Sequence, residues 1–264
     1  MKEYRISFIG AGKVSGALCR QLYLSGCKIR KIVSRNEEAG KSLAASYNAY
    51  WEPGYDFDDS ENIIITAVPD DSLREVLGKI RCGNDTVVVH TAGSIGLDVF
   101  PEKIIHKGVF YPLQTFTQGR KVVFSGLPFF LEAADDLSSG IMTGLVDLLG
   151  GEVHFTDTDK RRFLHIAAVF TCNFTNHMFT SGQQIIDKAG LPFNVMEPLI
   201  NETVRKAIEI GPDKSQTGPA YRFDKETIKK HIDLLSFSPE LQKIYREITG
   251  SIIRIYNKAE NDQF

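Results

Sequence analysis

The sequence predicts an α/β fold: a doubly wound parallel sheet in the first part of the chain and an all-helical region after it. Three observations carry that expectation. The chain opens on an apolar run, Arg5-Ile6-Ser7-Phe8-Ile9, that stops at a glycine and passes at once into a helical pattern at Val14, Ala17, Leu18 and Leu22. Runs rich in valine, isoleucine and threonine then alternate with helical patterns, as expected of strands covered on both faces. Beyond about residue 156 the alternation stops and the pattern is helical throughout.

The first turn is the most informative stretch. Gly10-Ala11-Gly12-Lys13-Val14 follows a strand and opens a helix, the setting of a dinucleotide-binding βαβ unit. Gly10 allows the sharp turn, and Gly12 has no side chain to hold a pyrophosphate off the backbone. The free N–H groups and positive dipole end of the helix then face the phosphates. The third glycine of the pattern is replaced by Ser15, with Gly16 one place late, and serine is small enough for close helix–strand packing.

The elements then follow in order. Residues 13–25 are predicted as the first helix and Lys28–Val33 as the second strand. An NAD enzyme closes this strand with an acid that holds the ribose 2′-OH. Here the closing residues are Ser34-Arg35-Asn36, and a hydroxyl with a guanidinium fork suits a 2′-phosphate. Helix 37–47, a short strand at Tyr50-Trp51, a buried strand ending at Ala67-Val68-Pro69, helix 72–80 and a strand ending at Thr91-Ala92-Gly93 come next. In open α/β sheets ligands lie outside the carboxyl ends of the strands, so Gly10, Ser34, Val68-Pro69 and Thr91-Ala92-Gly93 are expected to line one crevice. Strands at 108–116, 128–133 and 152–155 and a helix at 136–149 complete a first domain, residues 1–156.

Residues 157–264 are expected to form a helical substrate and dimerisation domain. A long helix runs from Asp159 to Lys188 with a break near Gly182, and its apolar middle reads as buried. Further helices are expected at 193–210, 224–234 and 239–257, with a polar tail from Asn257. A Gly-Pro loop, Thr217-Gly218-Pro219, carries Arg222.

Composition narrows the class. The chain has 264 residues, 42% hydrophobic and 24% charged, with a formal net charge of -2, so nothing points to nucleic acid or to an anionic membrane. The four cysteines form no CxxC pair and no cluster with metal-ligand spacing. No run of 18 apolar residues occurs, and no apolar signal region follows a basic start. A cytoplasmic, metal-free protein is expected.

Several motifs together resemble a known family: Gly10-Ala11-Gly12-Lys13-Val14, Ala67-Val68-Pro69-Asp70-Asp71, His90-Thr91-Ala92-Gly93, Tyr111-Pro112-Leu113-Gln114-Thr115-Phe116, His165 to Phe170, Asn173 and Thr217-Gly218-Pro219. The chain resembles bacterial NADP oxidoreductases with a Rossmann-like domain followed by a helical domain. That layout is similar to pyrroline-5-carboxylate reductase, the 6-phosphogluconate and β-hydroxyacid dehydrogenases, and the deazaflavin-dependent NADP oxidoreductases. The resemblance implies NADP as cofactor, a 6-phosphogluconate-dehydrogenase-like helical domain and an oxidoreductase class, without naming a substrate. The sequence departs from the family at Ser15 and at Tyr111, where histidine is expected.

Hydride transfer needs a donor for the charge that develops on the substrate heteroatom. The candidates are His165 as proton donor and Asn173 as its support, roughly 80° apart around an ideal helix. Arg222 is a candidate contact for a substrate carboxylate. The related dehydrogenases carry a lysine four residues before this asparagine, and here that position is Val169. Two readings therefore stand side by side: an NADP-dependent oxidoreductase acting on a small polar metabolite, and a non-catalytic NADP-binding sensor.

Overall fold

The computed structural model describes residues 3–256. The expected polar tail from Asn257 lies outside the described residues. Eight strands form one sheet in the order β3-β2-β1-β4-β5-β6-β7-β8. These are β1 (Arg5–Ile9), β2 (Lys28–Val33), β3 (Tyr50–Trp51), β4 (Ile63–Thr66), β5 (Val87–His90), β6 (Lys107–Pro112), β7 (Pro128–Ala133) and β8 (Glu152–Phe155). Among the described residues only the β6–β7 pairing is antiparallel. The first six strands have the doubly wound Rossmann order, with its switch between β1 and β4.

The register positions the candidate site. Ile9 pairs with Val33 on one side and Thr66 on the other, and Thr66 pairs with His90. The four strand ends are therefore level, and Gly10, Ser34, Ala67 and Thr91 all follow at the same edge.

Side-chain alternation along the strands builds two apolar layers. Ile65 joins Phe8, Leu18, Leu22, Phe110 and Leu145 on one face. Its neighbour Ile64 joins Ile9, Leu73, Leu77, Val88 and Phe100 on the other. The first layer is closed by α1 (Lys13–Leu24) and α4 (Asp136–Leu149), the second by α3 (Asp70–Lys79). The remaining helix, α2 (Glu37–Ser46), is capped by Asn36, whose Oδ1 accepts the Ala39 N–H at 2.9 Å.

Two compact units meet between Asn173 and Phe174, seventeen residues after the boundary read from the sequence at 156/157. The first unit retains α5 (Thr158–Ala168) because Arg161 ties it to the sheet. Arg161 is fully buried, with Nη1 2.5 Å from Glu132 Oε2 on β7 and Nη2 donating to Ile95 O at 2.6 Å.

The expected single helix from Asp159 to Lys188 is replaced by α5, a six-residue π-helical segment at Val169–Phe174 and α6 (Thr175–Lys188). Gly182 lies inside α6 and breaks nothing. Nor is this stretch buried in the single chain: Phe163 is 75% exposed and Phe170 63%. An apolar pattern marks surface that avoids water, and it does not distinguish a core from an interface.

The second unit holds α6, α7 (Glu197–Ile210), a short α8 (Pro212–Ser215), α9 (Lys225–Leu234) and α10 (Pro239–Tyr256). His231 Nδ1 and Tyr245 Oη, 2.9 Å apart, join α9 to α10. Gln242 Nε2 donates to Ile232 O at 2.6 Å across the same pair. No described helix is long and apolar enough to cross a membrane.

Candidate active site

The glycine turn is shaped for a phosphate chain. Gly10 has φ of +105°, and its N–H donates to Val33 O at 2.7 Å. A Cβ there would lie 2.2 Å from Ala67 O, so only glycine lets β1 and the β4 end approach this closely. Gly12 is the N-cap of α1 and offers no side chain, and the first helical turn contains no acid. A Cβ added at Gly12 would meet nothing within 4 Å. The N-terminal amides of α1 thus face open space with their dipole uncompensated, and Ala11, Lys13 and Val14 flank them. Ser15 is fully buried, which agrees with a small side chain at the packing position. These residues fit a dinucleotide pyrophosphate.

At the end of β2 the three expected residues divide their roles. Ser34 Oγ donates to Asn36 O at 2.6 Å and accepts the Trp51 Nε1–H at 3.0 Å, so its proton is already committed. Gly40 makes room for this arrangement: a Cβ there would fall 2.1 Å from Ser34 Oγ. Asn36 is engaged as the α2 cap. Arg35 is exposed, and its charge helps hold the Glu75 carboxyl low, after the larger effect of Lys79.

Ala67, Val68 and Pro69 lead from β4 into α3, and the Ala67 N–H donates to Ile9 O at 2.8 Å. Thr91, Ala92 and Gly93 leave β5 beside them, with Thr91 N–H donating to Thr66 O at 3.2 Å. His90 is fully buried and stacked on Phe100, and its Nδ1 accepts the Ala92 N–H at 3.2 Å. Burial pushes the His90 imidazole down to about 4, against a backbone hydrogen bond at Gly96 that works the other way. His90 is therefore a neutral group that shapes the turn at 91–93.

A contact between two ionisable side chains lies next to that turn. Tyr111 Oη on β6 and His165 Nδ1 on α5 are 3.1 Å apart. A Cβ at Gly93 would fall 2.8 Å from Tyr111 Cζ and 2.9 Å from His165 Nδ1, so the missing side chain at Gly93 is what admits the pair. Burial pushes the Tyr111 phenol up from its ordinary value, with the Arg161 charge pulling it down. The phenol stays protonated near neutral pH. With neutral imidazole its O–H donates to Nδ1 and fixes the proton on Nε2; with imidazolium the Nδ1–H donates to the phenol oxygen.

Of the three expected catalytic residues, His165 is the one with a titratable partner. Asn173 is exposed at the end of the π segment and makes no side-chain hydrogen bond among the described residues. The wider π turn also voids the angular estimate made for an ideal helix. Arg222 belongs to the second unit, exposed in the turn where its N–H donates to Gly218 O at 3.2 Å. Tyr111, which in the sequence stands out only as a departure from an expected histidine, is the partner that the fold gives to His165. The available signal was its place at the end of a strand bordering the crevice.

Comparison with known proteins adds the identity of the scaffold. Residues 5–93 match the family model described as NADP oxidoreductase, coenzyme F420-dependent, and residues 127–252 match a domain of unknown function, DUF2520. A Bacteroides fragilis protein described as an NADP oxidoreductase is 36% identical, with 96% of this chain and 98% of that one covered and a TM-score of 0.86. A reductive aminase from Aspergillus terreus, solved with NADPH and ethyl-5-oxohexanoate, shares the fold at 10% identity, with 96% and 94% covered and a TM-score of 0.71. A pyrroline-5-carboxylate reductase from Coxiella burnetii shares it at 13% identity, with 97% and 98% covered and a TM-score of 0.57. No curated protein matches the chain. With an NADP oxidoreductase domain at the glycine turn, a DUF2520 domain after it and this identity over nearly its whole length, the chain belongs to the same family of NADP oxidoreductases as the Bacteroides fragilis protein.

Proposed function

We propose that the protein reduces a C=O or C=N bond of a small polar metabolite with NADPH, using His165 as proton donor and Tyr111 as its hydrogen-bond partner. The observation that carries this reading is the 3.1 Å Tyr111–His165 contact beside Gly93, at the strand edge that also holds the glycine turn. When bound, the nicotinamide supplies a hydride to the substrate carbon. The chain's own residues do the rest. Gly10, Ala11, Gly12, Lys13 and Val14 hold the pyrophosphate, and Ser34, Arg35 and Asn36 border the adenosine ribose. Ala67-Val68-Pro69 and Thr91-Ala92-Gly93 form the floor along the strand ends. His165 gives one proton to the substrate oxygen or nitrogen, and the Tyr111 hydroxyl steadies the imidazole as its charge changes. Asn173 and Arg222 are the candidate contacts for polar substrate groups.

The two-domain layout with residues 157–264 as the substrate and dimerisation part is kept in this reading. Exposed Phe163, Phe170 and Ile208 support a homodimer formed through the helices. Free cysteines at Cys19, Cys27, Cys82 and Cys172 support a reducing, cytoplasmic setting.

One observation favours the second reading, a cofactor-binding sensor without turnover: Val169 stands where the related dehydrogenases carry lysine. Anaerobic mixing of the protein with NADPH and a panel of imines, 2-oxoacids and semialdehydes separates the two. Substrate-dependent loss of nicotinamide absorbance is expected. NADPH binding with no oxidation across the panel would favour the sensor.

A further inference from the structure

A cavity of about 940 Å³ opens from the glycine turn between α1 and α2, within the range of roughly 300–1,000 Å³ common for ligand sites. Gly12 and Lys13 line it on the α1 side and Asn36 at the start of α2. Its third wall comes from a loop far away in sequence, Thr117–Val122, between β6 and β7. Four cations line this cavity, Lys13, Arg20, Arg120 and Lys121, and no aspartate or glutamate does among the described residues. None of the four makes an ion pair among the described residues. Four like charges around one space repel each other, and an anion between them removes that repulsion.

The loop is built to present its charges. Arg120 N–H donates to Thr117 O at 3.2 Å, closing a turn in which Gly119 takes φ of +77°. Phe116 and Val122 pack against the core on either side of that turn, and Phe124 is buried in it. The tip is thus a tight turn pinned between apolar anchors, with Arg120 and Lys121 immediately after it.

The end of β2 brings one cation to a 2′-phosphate. Ser34 has its proton committed to Asn36 O, and Asn36 Oδ1 caps α2, which leaves the Asn36 amide as a neutral donor. Arg35 is left as the one free charged group of the three. A phosphate monoester carries close to two charges at neutral pH and three acceptor oxygens.

We propose that Arg120 and Lys121 form a second clasp for the 2′-phosphate of NADP(H), reaching it from the β6–β7 loop wall of the cavity that Asn36, the neighbour of Arg35, also lines. The proposal rests on NADP as the cofactor of the glycine turn. The 2′-phosphate then projects into the cationic cavity, and discrimination against NAD(H) is shared by two loops about 85 residues apart in sequence.

The test is calorimetric binding of four ligands, NADPH, NADH, adenosine 2′,5′-bisphosphate and ADP, to wild type, Arg35→Ala and the double variant Arg120→Ala/Lys121→Ala. The double variant is expected to lose about tenfold to a hundredfold in affinity for NADPH and the bisphosphate, the range for a charge-assisted phosphate contact. Its affinity for NADH and ADP should change less than about twofold. The same affinity as wild type for all four ligands overturns the clasp. An equal loss for all four also overturns it, because the loop would then hold the shared pyrophosphate. If Arg35→Ala weakens NADPH and the double variant does not, the clasp fails while the NADP reading stands. If wild type binds none of the four, both fail.

Discussion

Tyr111 Oη and His165 Nδ1 lie 3.1 Å apart, and the pair fits only because residue 93 is glycine. One residue ends a strand of the sheet and the other sits on the helix that follows it, 54 positions later. The contact sets an imidazole against a phenol that burial keeps protonated near neutral pH.

The first prediction follows from that pairing. With a substrate in hand, His165→Gln should lower turnover about 10²–10⁴-fold, the range for general acid–base catalysis, and leave NADPH affinity near wild type. Tyr111→Phe should lower turnover less, because the imidazole loses only its hydrogen-bond partner. Wild-type turnover in a folded His165→Gln protein would make His165 a structural residue.

Much of this arrangement was legible beforehand. The run Arg5–Ile9 followed by glycine announces strand, turn and helix because a steric requirement at Gly10 is written in the residue type. The ends of β2, β4 and β5 could be aligned because parallel strands in this topology finish at one edge. The π segment at Val169–Phe174 was not legible, since a one-residue widening of the turn leaves no mark in a continuous apolar run. Arg161 was equally hidden: a basic residue in a first helical turn looks solvated, and its partner Glu132 is 29 residues away on another element. The loop at 117–122 is short and polar, and its role depends on a cavity that only the folded chain creates.

Arg35 is expected to read the 2′-phosphate from its own side. Arg35→Ala should weaken NADPH binding about tenfold to a hundredfold and leave NADH nearly unchanged. Fluorescence of the single tryptophan, Trp51, is a direct probe, because its Nε1–H is bonded to Ser34 at the end of the same strand. Equal losses for both cofactors would assign Arg35 to another part of the nucleotide.

His90 makes stability depend on pH. Its folded-state pKa of about 4 lies below the ordinary histidine value near 6.5, so between those values the unfolded chain binds the extra proton. The neutral imidazole's contribution is complete above about pH 6.5 and is lost as pH falls toward 4. The loss is on the order of 3 kcal/mol. Denaturation of wild type and His90→Gln across this window should show the steeper decline in wild type. Parallel curves would mean that His90 is protonated as easily in the fold as in the open chain.

The exposed apolar helices predict self-association. Sedimentation equilibrium at micromolar concentration should give a dimer. Phe163→Ala and Phe170→Ala should each raise its dissociation constant by about tenfold to a hundredfold, from roughly 1.5–3 kcal/mol per buried aromatic side chain. A species of monomer mass throughout would leave these side chains without an interface.

The most direct measurement uses NADPH carrying deuterium at the transferable position of the nicotinamide. Incubated anaerobically with the protein and the panel of imines, 2-oxoacids and semialdehydes, the label should pass to carbon in one product class as NADP+ forms. With His165→Gln in place of the wild type the same transfer should be about 10²–10⁴-fold slower. Cofactor that binds the wild-type protein yet is recovered with all its deuterium would contradict hydride transfer and leave a protein that only senses NADPH.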